Sequence, residues 1–322
     1  MASNPWWSSG SSDEEEMIFA NTVVKAAQIL MEEEEEDDSS ESVITGFTTL
    51  QKCTAAIRQL AYGTVPDALD EYLQMSARTT RECLYRFCHN VVELYSKKYL
   101  RKPNAYDIQQ LYQAQEARHG FPGMLGSIDC MHWAWHNCPT AWRGQYTRGD
   151  HGHPTLILEA VASQDLWIWH SFFGLPGSLN DLNVLYQSAI FSDVVNGTGP
   201  DTRFTVSGVK YRRGYYLADG IYPSWSTIVK TIPYPEDEKR KKFTKRQEAA
   251  RKDIEHEGRA ICEYDENASY GNTVPVEPRQ QDLNSFALTN DYTHANLQQD
   301  LVEHIWNNAN DVDGDEDEDE DE

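Results

Sequence analysis

No run in this 322-residue chain approaches the 18 or more consecutive apolar residues that span a bilayer, so nothing in it reads as a membrane segment. The opening MASNPWWSSGSSDEEE has neither the basic nor the apolar region of a secretory signal, and the expectation is an intracellular protein. Cysteine is sparse. Six of them, Cys53, Cys83, Cys88, Cys130, Cys138 and Cys262, form no dense framework in a chain of this length. Reduced thiols are favoured over disulfides, and stability falls to the core. Basic residues are scarce too: 28 Lys and Arg against 52 Asp and Glu, a net charge of −24. Taken alone, that deficit argues against a polyanionic partner, but its distribution reverses the argument. Residues 1–41 hold twelve acids and one lysine, and residues 311–322 hold ten acids and no base. Setting aside those net charges of −11 and −10 leaves −3 for residues 42–310. In so nearly neutral a body, local patches decide what is bound.

What is present falls into five stretches. Residues 1–47 are acidic and disordered in character, with MIFANTVVKAAQILM (17–31) able to form one amphipathic helix before an acidic tether. From 48 to 115 apolar residues recur at helical spacing: Ile57, Leu60 and Ala61; Ala68, Leu69 and Tyr72; then Cys83, Leu84, Phe87, Val91 and Leu94. With Ala61-Tyr62-Gly63 as punctuation and Ser76 as an N-cap, this predicts a small helical, helix-turn-helix-like domain, or equally a helical lid. Residues 120–258 change character, with GMLGSIDC, PTLILEAVA (154–162), LWIWHSFFG (166–174) and GYYLADG (214–220) as strands. Ser163-Gln164-Asp165 is the turn between the second and third, a helix opens at Asn180-Asp181, and FTKRQEAARKDIE (243–255) is a basic helix. Residues 259–310 read as irregular apart from an amphipathic stripe, Leu297, Leu301, Ile305 and Trp306, and 311–322 as an acidic tail.

Asp129 in GSIDCMHW and Asp219 in LADGIYP each follow a short apolar run that reads as a buried strand. An aspartate after a strand is often only a turn or cap residue. Two at neighbouring strand ends, however, make a hard oxygen site suited to Mg²⁺ or Mn²⁺ and to phosphodiester cleavage. Three strands, helix, strand, helix is the order of an α/β, RNase H-like mixed sheet, in which the first and fourth strands lie side by side. Asp181 by itself reads as a cap of the helix that follows it.

The runs GFPGMLGSIDCMHWAW, TRGDHGHPTLILEAVASQDLWIWHSFFG, PGSLNDLNVL, YYLADGIYP and QEAARKDIE, in this order from about Leu50 to Glu255, resemble the plant branch of the PIF/Harbinger transposase-derived nucleases. The resemblance implies an RNase H-like DDE nuclease core. Asp129, Asp219 and Glu255 take the catalytic, metal-holding roles, and Asp181 stands where the family has a further acid that assists metal binding. It also implies action on DNA in the nucleus and a separate DNA-binding protein partner. The family pattern continues after this glutamate with an aromatic-rich helix, whereas this chain passes directly into HEGRAICEYDENASYGNTVPVEP. That departure keeps a second reading open: a catalytically inactive domesticated relative, associated with DNA or chromatin.

Three other constellations stand out. Lys239, Arg240, Lys241, Lys242, Lys245, Arg246, Arg251 and Lys252 form the strongest positive run. It is expected to neutralise DNA phosphates, with a nuclear-import signal or a solvated helix face as competing readings. Cys130, His132, His136 and Cys138 contain a full set of zinc ligands at a spacing unusual for a finger, the alternative being core thiols and cleft-lining polar groups. His151 and His153 are expected either near substrate phosphate or simply exposed on a loop.

Overall fold

The computed structural model describes residues 46–163, 165, 167–256 and 275–308, with backbone only at residue 70 and residues 253–256. The expectations for 17–31, for the sequence just after Glu255 and for the two acidic ends lie outside the described residues. The chain divides after Tyr99 into two compact units.

The first unit holds α1 (Thr49–Tyr62), a 3₁₀ turn (Pro66–Leu69), the single-turn α2 (Asp70–Leu73) and the long α3 (Ala77–Tyr99). Thr48 and Gln51 form a reciprocal capping box that starts α1, and Gly63, at φ 60°, ends it in the left-handed conformation. Ser76 caps α3 through the amide of Thr79, as its position predicts. Cys53, Ala56 and Phe87 form one small core, and Ala55, Leu69, Leu73, Met75 and Cys83 another. Leu60 is exposed, contrary to the helical pattern, because the buried stripe of α1 runs through Cys53, Ala55, Ala56 and Gln59, and Tyr72 on α2 is exposed as well.

The second unit begins at Leu100, so the helical region expected to reach 115 ends sooner. Helix α4 (Ala105–His119) packs on β1 and belongs with the sheet. Strands β1 (Met124–Ala134), β2 (Thr155–Ala162), β3 (Ile168–Pro176), β6 (Tyr215–Ala218) and β7 (Ile228–Lys230) form one five-stranded mixed sheet in the order β3-β2-β1-β6-β7. Only β2 runs against the others, pairing antiparallel with β1 and β3 while β1–β6 and β6–β7 pair parallel. A separate hairpin, β4 (Phe204–Val206) with β5 (Val209–Tyr211), precedes β6. A short α5 (Arg143–Tyr146) sits in the β1–β2 connection, and α6 (Asp181–Leu185) and α7 (Ser192–Asn196) follow β3. The unit closes with α8 (Glu238–His256), α9 (Pro278–Leu288) and α10 (Asp291–Asn308).

Strand alternation sends Leu217 and Val229 to one face of the sheet and Ala218 and Ile228 to the other. The first pair joins a core with Phe243 and Ala250 of α8 and Leu297, Leu301, Val302 and Ile305 of α10. The second joins one with Leu185, Phe191 and Leu288. The predicted stripe on α10 is therefore the docking face of that helix. Helix α9 corrects the reading of 259–310 as irregular outside the stripe. It buries only Leu288, so no apolar period marks it, although Pro278 sits at its first turn where proline suits a helix start. No described helix is long and apolar enough to cross a membrane.

Candidate metal centre

Strand β1 shifts register between Met124 and Gly126 where it meets β6, a bulge that re-aims the strand. Gly126 has φ 154°, and a Cβ there would stand 2.5 Å from the carbonyl oxygen of Ala162 on β2. Beyond the bulge, Ser127 pairs with Leu217. Asp129 and Asp219 each stand two residues beyond that pair, so the parallel register, carried onward, brings them to the same end of the sheet. Both follow their strands' buried residues, Ile128 and Ala218, and emerge where burial ends. One carboxylate oxygen of each is oriented by backbone: Oδ1 of Asp129 accepts from the amide of Cys130 and Oδ1 of Asp219 from that of Ile221, both at 2.9 Å.

Asp181 arrives from α6. The capping role it could have served belongs to Asn180, whose Oδ1 accepts from the amide of Asn183 at 2.9 Å, leaving Asp181 in the first turn. Burial raises its pKa, and the negative charges of Asp219 and Asp129 raise it further, while Arg148 and a hydrogen bond with Cys130 pull it down. The third carboxylate thus feels both strand aspartates. Cys130 lies beside them with its Sγ 3.4 Å from Oη of Tyr222. Its thiol is pushed up to about 12, by burial first and by the acids around it, so it stays protonated.

Sequence reasoning missed Glu159. Its register partner is Cys130, it is fully buried, and its Oε1 lies 3.2 Å from Nε2 of His170, which also meets Oγ of Ser188 at 3.0 Å. Its other oxygen is buried without a hydrogen-bond partner. The signal lies in TLILEAVA, where Glu159 keeps phase with the inward-facing Ile157 and Val161.

Glu255 is in α8, on the face of the sheet that holds Leu217 and Val229, but its side chain lies outside the described residues. Eight residues earlier, the buried Gln247 ties this helix to the Asp219 strand, donating from Nε2 to the carbonyl of Ala218 at 2.9 Å. An all-oxygen donor set fits Mg²⁺ or Mn²⁺ in type. As placed, no three His, Cys, Asp or Glu among the described residues form a group able to hold a metal ion.

Of the two readings of Cys130, His132, His136 and Cys138, zinc is the one without a site, because the described residues form no group able to hold it. His132 bonds Oγ1 of Thr155 at 2.8 Å and its ring lies tilted against that of His151 with centres 4.3 Å apart, and Cys138 is buried with its thiol toward the carbonyl of Pro139. The basic run occupies α8 but is partly neutralised within the fold: Lys239 pairs with Glu303, Arg240 with Asp237 and Lys241 with Glu238. Lys242, Lys245, Arg246, Arg251 and Lys252 continue along the helix, whose inward side is Phe243, Gln247 and Ala250.

Comparison with protein families matches residues 97–261 to a family described as plant transposon protein. The chain belongs to that family. In this plant transposon protein, the matched span takes in α4, the whole five-stranded sheet and α8, and with them Asp129, Asp181, Asp219 and Glu255. No curated protein and no solved structure matches the chain.

Proposed function

We propose that the protein is a transposase-derived nuclease of PIF/Harbinger type that cleaves DNA phosphodiester bonds in the nucleus. Divalent metal would be held by Asp129, Asp219 and Glu255, with Asp181 assisting. The observation that carries this reading is the parallel register of β1 and β6, in which Ser127 pairs with Leu217 and Asp129 and Asp219 each follow two residues later, with Asp181 close enough for its ionisation to respond to both. The strand order, with β2 alone reversed, supports an RNase H-like assignment of the sheet. Bound Mg²⁺ or Mn²⁺ would activate water or a DNA 3′-hydroxyl and stabilise the leaving oxygen. The chain's own part is to present carboxylates oriented by backbone amides, with Gln247 tying α8 to the backbone at Ala218. The bases of α8 supply sequence-independent attraction for phosphate. Sequence choice falls to a separate DNA-binding partner.

A second reading, a catalytically inactive DNA-associated protein, is favoured by one observation: after Glu255 the chain passes directly into HEGRAICEYDENASYGNTVPVEP, where the resemblance would continue with an aromatic-rich helix. A plasmid-nicking assay in Mn²⁺ separates the two. The nuclease reading predicts nicking that falls at least about 100-fold in Asp129→Asn, the scale of losing a group that acts at the reacting centre. Retained DNA binding with no nicking by the unsubstituted chain selects the second reading.

A further inference from the structure

Beyond Asp129 the β1 strand runs on into a feature that neither carboxylate chemistry nor core packing uses. Alternation puts Met131 and Trp133 on the same face as Asp129. Met131 is 36% exposed and Trp133 54%, and Phe173 of β3, also 54% exposed, meets Trp133 edge to face with ring centres 6.2 Å apart. Trp133 stands four residues from Asp129, about 13 Å along the strand. The connection that follows is built, not loose. Trp135 packs on Tyr146 at 4.9 Å and Trp142 at 6.0 Å, its amide donates to the carbonyl of Pro154 at 2.8 Å, and Thr147 bridges to Pro154.

Composition marks the same stretch. In a chain with 52 acids, residues 131–154 contain a single carboxylate, Asp150, beside Arg143, Arg148, four histidines, three tryptophans and Tyr146. Asp150 is itself paired with Arg148, at 3.2 Å. His136, Arg143 and His153 line a cleft with Trp135. Arg148 lies close enough to Asp181 and to His132 to influence both.

We infer that this arm, residues 131–154 with Phe173 beside it, grips DNA whose bases are unpaired close to the scissile phosphate. The inference rests on the nuclease reading for the place of that phosphate. Cations interleaved with exposed rings are the chemistry of single-strand contact: phosphates meet Arg143 and Arg148, with the histidine rings as further hydrogen-bonding groups, and base faces stack on the aromatic rings. Intact duplex hides its base faces, so Trp133 and Phe173 gain nothing from it, whereas an opened or flipped base gives them a partner. An apolar protein partner would cover the rings and leave the cations unused.

The test is fluorescence anisotropy on the full chain in EDTA, where no cleavage occurs. The two DNAs are a labelled duplex and the same duplex with a short internal unpaired loop. Replacing both rings, Trp133→Ala with Phe173→Ala, is expected to weaken binding of the looped DNA by about 10- to 100-fold, the scale of losing one or two stacked bases. Affinity for the plain duplex should change less than about 2-fold, and Trp133→Phe should keep most of the preference, because a smaller ring still stacks. As a control, Lys245→Ala with Arg251→Ala should weaken both DNAs alike. Equal losses on the two DNAs, or none on either, would overturn the inference. So would a parent chain that sediments as a dimer and a ring variant that sediments as a monomer with no change in DNA preference, which assigns the platform to a second copy. Loop preference that depends on the rings, in a protein that nicks nothing in Mn²⁺, would refute the nuclease reading and leave the arm's role standing.

Discussion

Asp181 is the residue whose behaviour separates a cation site from an ordinary helix start. Burial and the charges of Asp219 and Asp129 raise its pKa, so the folded chain holds that proton to higher pH than the unfolded chain does. Its protonated form therefore favours folding at acid pH, and its ionisation weighs against folding as pH rises through the raised value. Asp181→Asn is predicted to raise the melting temperature near pH 7 in metal-free buffer, by about 2–4 °C for each kcal/mol of repulsion relieved, and to leave it unchanged near pH 3. Mn²⁺ affinity should fall in the same variant. A variant no more stable at neutral pH would mean that Asp181 is not strained by its neighbours. At this scale Asp129 and Asp219 are legible from an aspartate closing an apolar run. The identity of the helix cap is not, because Asn180 and Asp181 are equally good caps by type and only the geometry assigns the role to Asn180. Glu159 escapes because a charged residue in an apolar strand looks like an outward one until the phase of that strand is known.

Elements explain how Asp129, within β1, and Asp219, just after β6, come to follow one ladder pair, Ser127 with Leu217. The β1 bulge at Gly126 is tight, with the Ala162 carbonyl in the space a side chain would need. Gly126→Ala is predicted to cost about 1–3 kcal/mol in urea unfolding, the usual penalty for overpacking. It should also weaken Mn²⁺ binding by moving Asp129 relative to Asp219, and an unchanged midpoint would contradict the tight fit. Helix α8 docks through the fully buried Phe243, so Phe243→Ala is predicted to cost about 3–5 kcal/mol. A loss below about 1 kcal/mol in a denaturant titration would show that the helix is not anchored there. The long strands β1, β2 and β3 and the helices α1, α3, α8 and α10 carry periodic or compositional signals and are readable from the chain. The three-residue strands β4, β5 and β7 are too short to show a period, and α9 buries a single side chain. Such elements exist because the rest of the unit holds them, a tertiary cause with no local signature.

For the whole molecule the main tension is charge. The described chain ends at Asn308, shortly after Glu303 pairs with Lys239 of the basic helix and Trp306 lies under the same ammonium group at 6.0 Å. The run of ten acids at 311–322 follows closely in sequence. Acids in cis compete with phosphate for cations, so a 42–310 chain is predicted to bind duplex DNA about 10-fold or more tightly than the full chain, with a steeper salt dependence. Binding curves at several salt concentrations check this, and equal affinities would show that the acidic ends act elsewhere. A net charge of −24 read without its distribution would have excluded the partner that the near-neutral body admits.

The central claim, that Asp129 and Asp219 form a divalent-metal site, is tested most directly by Mn²⁺ calorimetry. The comparison is between the full chain and its Asp129→Asn, Asp219→Asn double variant at one pH and ionic strength. The account predicts a binding event in the parent that disappears from the variant, while weak background binding to the acidic ends persists in both. Identical isotherms would place all of the metal on those ends and contradict the claim.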